Sequence, residues 1–153
     1  KILAGKQDKI VLGNLDAQRD WGFAKDYVEG MWLVLQQPEP DDFIFSTGQQ
    51  FSVRHFIQEA FDLCGFDLEW HGSGVDEVGI DKITSRTLIK VDPSFFRPTE
   101  VDSLIGDSRK AKEILNWHAK TPFNKLVYLM VESDLKENGL DPKKFIKPFK
   151  MRN

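Results

Sequence analysis

Two amphipathic runs, each cut off by residues that cannot continue a helix, set what this chain can fold into. In the first, Tyr27, Val28, Met31, Trp32 and Leu35 follow Asp26 at helical spacing on one face, and Pro38 and Pro40 end it. In the second, Ser52 stands as an N-cap before Val53, Phe56, Ile57, Ala60, Phe61 and Cys64, and Gly65 supplies the stop. Short apolar runs between turn residues read as strands at 10–12, closed by Gly13-Asn14, at 43–46, closed by Thr47-Gly48, and at 68–70. Strands alternating with helices, without a run of buried parallel strands, predict an α/β protein with small, mixed sheets.

The stretch "HGSGVDEVGIDKITSRTLIKVDPSFFRPTEVD" is polar and rich in turn residues, and only Leu88 to Val91 within it has strand character. Irregular segments of such length in compact domains usually serve function. Asp107 or Ser108 opens a helix through Ala111, Ile114 and Leu115. Thr121-Pro122 opens another, with Phe123, Leu126, Val127, Met130, Val131 and Asp134 at helical spacing. After Gly139 the chain turns basic, with Lys143, Lys144, Lys147, Lys150 and Arg152 among two prolines. The expected division is a body over 1–139 and a solvated or docked basic tail over 140–153.

A chain of 153 residues with 41% hydrophobic content can bury a core of its own. Its 21 basic and 24 acidic residues leave a formal charge of −3, which gives no field toward nucleic acid or an anionic membrane, so any anion is bound locally. The apolar run from Met31 to Leu35 is far short of the roughly 20 residues that span a bilayer. A soluble, cytoplasmic protein without nucleic-acid or membrane partners is expected. Cys64, the single cysteine, is expected to be a buried structural thiol. The opening "KILAGKQDKIVLGN" reads as a helix already under way, since Ile2 and Leu3 have no N-cap before them, and a piece of a longer protein is expected.

His55, His71 and His118 are scattered and no CxxC occurs, so no metal site is expected. Gly72, Gly74 and Gly79 miss the G-x-G-x-x-G spacing of a dinucleotide loop, with no apolar helix behind them. A Tyr-x-x-x-Lys pair is absent: Met31 follows Tyr27 at that spacing, and Glu132 follows Tyr128. No catalytic residue is assigned. Two arginines stand in unusual settings, Arg19 between a Gly-Asn turn and an aromatic run, and Arg97 in "FFRPTE". Two guanidinium forks could clamp a diphosphate, and Glu100 could accept from the vicinal hydroxyls of a ribose. Alternatively each arginine pairs with a nearby acid, Arg19 with Asp20 or Asp26, and Arg97 with Glu100 or Asp102.

At these residues the chain resembles the GDP-mannose 4,6-dehydratases, which are extended short-chain dehydrogenases/reductases. The likeness runs from about Ile2 to Leu135 through "LGNLDAQRDWGFAKDYVEGMWLVLQQPEPDDF", "FSVRHFIQEAF", "VDPSFFRPTEVDSLIGDSRKAKEILNW" and "LVYLMVESDL". Phe23 departs from it, where members usually carry His, as does Asn116, where Gly more often precedes the tryptophan. The resemblance implies the end of a Rossmann domain plus a small mixed α/β substrate domain. It also implies that Arg19 and Arg97 grip the GDP diphosphate, that Glu100 holds the ribose and that Leu12 lines the guanine or ribose side.

The family converts GDP-mannose to GDP-4-keto-6-deoxymannose with bound NADP, as homodimers or homotetramers, on the way to GDP-fucose. Its NADP loop, its elimination Thr and Glu and its Tyr-x-x-x-Lys pair all correspond to positions upstream of Lys1. By resemblance this segment is inactive alone and exposes a face meant for its upstream half, which the helix from Asp26 and the strand at 43–46 would complete. A related GDP-sugar epimerase or reductase, and a non-catalytic nucleotide-sugar-binding module, stand as alternatives.

Overall fold

The computed structural model describes residues 1–97, 99 and 104–149. Along the chain run β1 (Ile10–Leu12), β2 (Gln18–Arg19), α1 (Ala24–Val34), β3 (Phe51–Ser52), α2 (Val53–Leu63) and β4 (Leu68–His71). They are followed by β5 (Val78–Asp81), β6 (Thr87–Val91), α3 (Arg109–Leu115), α4 (Phe123–Glu137) and α5 (Pro142–Phe145). Four strands form one sheet in the order β1-β6-β5-β4, and β2 and β3 make a separate antiparallel pair. In the larger sheet β1 runs parallel to β6, with Ile10 opposite Ile89 and Leu12 opposite Val91, whereas β4, β5 and β6 are antiparallel neighbours. The architecture is mixed α/β, as the sequence predicts.

β6 is a central strand, and its successive residues Leu88 and Ile89, which point to opposite faces, are both fully buried. The apolar face of α2 buries Ile57 and Phe61 in the same cluster as Leu15, Leu68 and Val91, each such side chain contributing about 2 kcal/mol. That helix begins as its residues dictate. Ser52 Oγ accepts the His55 N–H at 3.1 Å, and Gly65, at φ 82°, takes the left-handed conformation after the last turn.

A second cluster joins α1 to α3, with Ala111, Leu115 and Trp117 packed against Leu33, Val34, Phe43 and Phe45. Trp117 anchors it. Its indole Nε1 donates to the Asp26 carbonyl at 2.7 Å, and the Phe45 ring meets it edge-on at 4.6 Å. The buried Asp26 carboxylate accepts the N–H groups of Lys120 and Thr121 at 3.0 and 2.9 Å, which fixes the entry to α4. Asn116, at φ 52°, caps α3 in the left-handed region that asparagine tolerates as glycine does.

Several expectations fail for physical reasons. Residues 43–46 are extended but form no ladder, because no described strand lies beside them; side chains hold the segment instead, with Ser46 Oγ donating to the Gly106 carbonyl at 2.7 Å. β5 was hidden in the turn-rich stretch because Gly79 interrupts its alternation. A register shift occurs at Gly79/Ile80, where the missing Cβ lets Ile89 and Trp70 approach. The first residues are a turn rather than a continuing helix. Lys6 N–H bonds to the Lys1 carbonyl and Gly5 N–H to the Ile2 carbonyl, with Gly5 at φ 67°, the pairing of a Schellman helix end.

Ile114 and Met130, read as inward-facing, are exposed. α1 is two-faced. Asp26, Gly30, Leu33 and Val34 meet this chain's interior, while Val28, Met31, Trp32 and Leu35 are 58% to 81% exposed. Beyond Gly139, Asp141 caps α5, and Pro142 and Ile146 are buried. Residues 150–153 lie outside the described residues.

Cys64 is half-buried and lines a cleft of about 540 Å³ with Ile2, Leu3, Phe66 and Leu135, and burial pushes its thiol up to about 11. Its alkylation in the native protein near pH 8 is therefore expected to run about a hundredfold slower than that of a free peptide thiol, measured by iodoacetamide kinetics. Trp117→Phe removes the buried donor to Asp26 and part of the ring that Phe45 packs against. Urea denaturation is expected to show a loss of about 2–4 kcal/mol, and a loss below about 1 kcal/mol would contradict its anchoring role.

Candidate functional site

β1 and β6 end side by side, and the loops leaving that edge carry the residues singled out in the sequence. The C-terminal edge of parallel strands is where diverging loops leave room for a ligand. Leu12 ends β1, and its carbonyl accepts the N–H of Asp92, the residue just past β6, at 2.8 Å. At Gly13 a Cβ would stand 2.1 Å from the Phe95 carbonyl oxygen, so only glycine allows the two loops to touch.

Asn14 then fastens them. Its Oδ1 accepts the Arg97 N–H at 2.7 Å and its Nδ2 donates to the Arg97 carbonyl at 2.8 Å. One amide thus serves the backbone of Arg97 on both sides, as a neighbouring strand would. The Arg97 loop is shaped further by Asp92, whose carboxylate accepts the N–H and hydroxyl of Ser94 at 2.9 and 2.7 Å. Those bonds hold the Asp92 carboxyl below the usual carboxylate range.

From Asn14 the chain runs along the start of α2. The Leu15 carbonyl accepts the Arg54 N–H at 2.8 Å, and the Ala17 carbonyl accepts the Val53 N–H at 3.2 Å. β2 then sets Arg19 opposite Phe51, half-buried, with its Nη1 donating to the Gln18 carbonyl at 2.7 Å. Next to Phe51, Gln50 Nε2 donates to the Leu104 carbonyl at 2.7 Å. The chain on either side of the undescribed residues therefore meets the neighbourhood of this segment twice, at Asn14 through Arg97 and beside Phe51 through Leu104.

Of the four sequence-predicted residues, Leu12, Arg19 and Arg97 lie on two adjoining segments. Leu12 is half-buried with its side chain against the core, Arg97 is exposed, and Glu100 lies outside the described residues. The acids offered as partners for Arg19 have other donors. Asp20 accepts from Thr47 N–H, Thr47 Oγ1 and Gly48 N–H at 2.7 to 3.1 Å, which ties the end of the 43–46 segment to β2, and Asp26 holds the entry to α4. Asp102, offered to Arg97, lies outside the described residues. Asn14 itself escaped the sequence reading. Its signal was an amide, donor and acceptor at once, directly after the glycine that ends a strand.

What these residues supply is fixed positive charge beside ordered backbone, the equipment for holding an anion. The glycines at 72 and 74 do not fit a dinucleotide. They belong to the tight connection between β4 and β5, where a Cβ on Gly72 would lie 2.6 Å from the Asp76 carbonyl oxygen, and a strand follows rather than a helix. Among the described residues no group of His, Cys, Asp or Glu could hold a metal ion, and no helix is long and apolar enough to cross a membrane.

The profile of the GDP-mannose 4,6 dehydratase family matches residues 1–130. A GDP-mannose 4,6-dehydratase of Sinorhizobium fredii is 49% identical over 134 residues, covering 88% of this chain and 38% of the relative. The GDP-mannose 4,6 dehydratase of Homo sapiens is 48% identical over 142 residues, covering 93% and 38%. The chain thus spans about 38% of the length of these relatives. Among solved structures, a putative epimerase from Burkholderia cenocepacia superposes with a TM-score of 0.65 at 21% identity over 86% of this chain and 38% of the other. The UDP-glucose 4-epimerase of Thermotoga maritima, solved with UDP-glucose, gives 0.65 at 21% over 89% and 37%. At that identity the likeness is one of fold, the C-terminal portion of an extended short-chain dehydrogenase/reductase. With the family profile and both relatives spanning most of its length, the chain belongs to the GDP-mannose 4,6-dehydratase family.

Proposed function

We propose that this chain is the GDP-binding part of a GDP-mannose 4,6-dehydratase. Arg19 and Arg97 grip the diphosphate, Glu100 accepts from the ribose hydroxyls, and Leu12 lines the guanine or ribose side. The observation that supports this most directly is the fastening of the Arg97 loop to the Arg19 segment by Asn14, at the C-terminal edge of a parallel strand pair. Each charge-assisted contact to phosphate would contribute about 1.5–3 kcal/mol.

The whole enzyme converts GDP-mannose to GDP-4-keto-6-deoxymannose, and an upstream half carries the NADP site and the reacting groups. That half covers the apolar stripe of α1, Val28, Met31, Trp32 and Leu35, whose contiguity on one helical face marks a docking surface. It also supplies the strand neighbour that residues 43–46 lack among the described residues. The body over 1–139 carries the site and the segment from 140 packs as a tail. The assembled enzyme is a cytoplasmic homodimer or homotetramer.

In a full-length dehydratase carrying this segment, Arg97→Ala is expected to weaken GDP-mannose binding about tenfold or more by calorimetry. Unchanged affinity would remove Arg97 from the site. Turnover that gives no 4-keto-6-deoxy product would move the assignment to an epimerase or reductase.

A further inference from the structure

Arg54, in the first turn of α2, makes more polar contacts than a helix staple needs. Its Nε and Nη2 donate to Asp16 Oδ1 at 3.0 and 2.9 Å, its Nη1 donates to Glu77 Oε1, and its Nη2 donates to Glu77 Oε2 at 3.0 Å. The guanidinium carbon sits 4.8 Å from the Trp70 ring centroid. One planar fork therefore joins two carboxylates from different parts of the chain while lying on an aromatic ring.

Those carboxylates lead to the two halves of the proposed site. Asp16 lies between Asn14, which clamps Arg97, and Arg19 itself, and the Leu15 carbonyl beside it accepts Arg54's own N–H. Glu77, buried, accepts through its carbonyl the N–H of Val91, the last residue of β6, and Asp92 next to it bonds to Leu12. We infer that Arg54 is a positioning residue of the site, holding the Arg19-bearing segment in register with the β6 end from which the Arg97 loop departs. This rests on the GDP-binding reading of Arg19 and Arg97.

Physical chemistry favours a geometric role over a stabilising one. A pair as buried as Arg54–Glu77 loses in desolvation much of what it gains in attraction, so apolar packing would serve stability as well. What apolar residues would lack is direction. Only the guanidinium reaches both carboxylates in one plane, and a lysine, a compact ammonium, cannot reproduce the fork.

The test uses a full-length dehydratase carrying this segment, with each variant's fold first checked by circular dichroism and thermal melting. Arg54→Met keeps the stem over Trp70 and removes the fork. It is expected to raise KM for GDP-mannose and the calorimetric Kd for GDP about tenfold with kcat within about twofold, because a diphosphate grip binds ground and transition states alike. Arg54→Lys is expected to recover less than half of that loss. Asp16→Asn, at an exposed side chain whose loss leaves the fold intact, is expected to cost about threefold in the same two quantities. A folded Arg54→Met with GDP affinity within about twofold of the parent, or one that lowers kcat and leaves KM unchanged, would overturn the positioning role. Should Arg54→Met fail to fold, an unchanged GDP affinity in Asp16→Asn overturns it instead. Unaltered GDP binding in Arg97→Ala brings down the site reading itself and this inference with it, whatever the Arg54 variants do.

Discussion

β1 reaches β6 only after the chain between them has folded through two helices and an antiparallel hairpin, and the resulting parallel pair sets the two site loops edge to edge. Parallel neighbours cannot be joined by a tight turn, so the connection must be long, and here it contains most of the described core. Leu88, Ile89 and Val91 of β6 are sealed on one side by α2 and are continuous with Leu68 and Leu15. Remove that pairing and Leu12 loses its bond to Asp92, Gly13 no longer meets Phe95, and Asn14 has no Arg97 backbone to hold. The site is thus a consequence of sheet order before it is a matter of side-chain chemistry.

Around this frame, polar side chains do the joining. Asn14 bonds a loop backbone, Asp20 gathers the Thr47-Gly48 turn, Asp26 gathers the entry to α4, and Asp81 gathers the turn at Thr84. Each acid accepts backbone N–H groups that would otherwise be left without partners near the interior. Among the described residues no buried side-chain nitrogen or oxygen is without a partner. Acids committed in this way serve as architecture. That leaves the arginines as the groups whose positive charge is disposed toward an edge where loops diverge.

Much of the local structure was legible along the chain. The cap at Ser52, the stop at Gly65, the helical faces of α2 and α4, and the turn after β1 all follow from residues within one or two turns of each other. The conspicuous setting of Arg19 and Arg97 could also be read. Three things could not. β5 was concealed by Gly79, whose purpose is to admit Ile89 and Trp70 from other elements. Residues 43–46 have strand composition without a described strand beside them, and composition cannot report a missing neighbour. The double bond of Asn14 to Arg97 joins residues far apart in the chain, so no local pattern announces it.

By itself, then, the sequence determined the identity and limits of most elements, the family, and the two arginines worth pursuing, because caps, breakers, periodicity and motif wording are all short-range information. Only the tertiary structure decided that β1 lies beside β6, that Asn14 and Arg54 are the residues binding the site's segments together, and that the apolar stripe of α1 faces outward. The physical reason is the same in each case. Hydrogen bonds and burial between segments distant in sequence are settled when the sheet closes and the helices take their faces, and nothing in either segment alone carries that information.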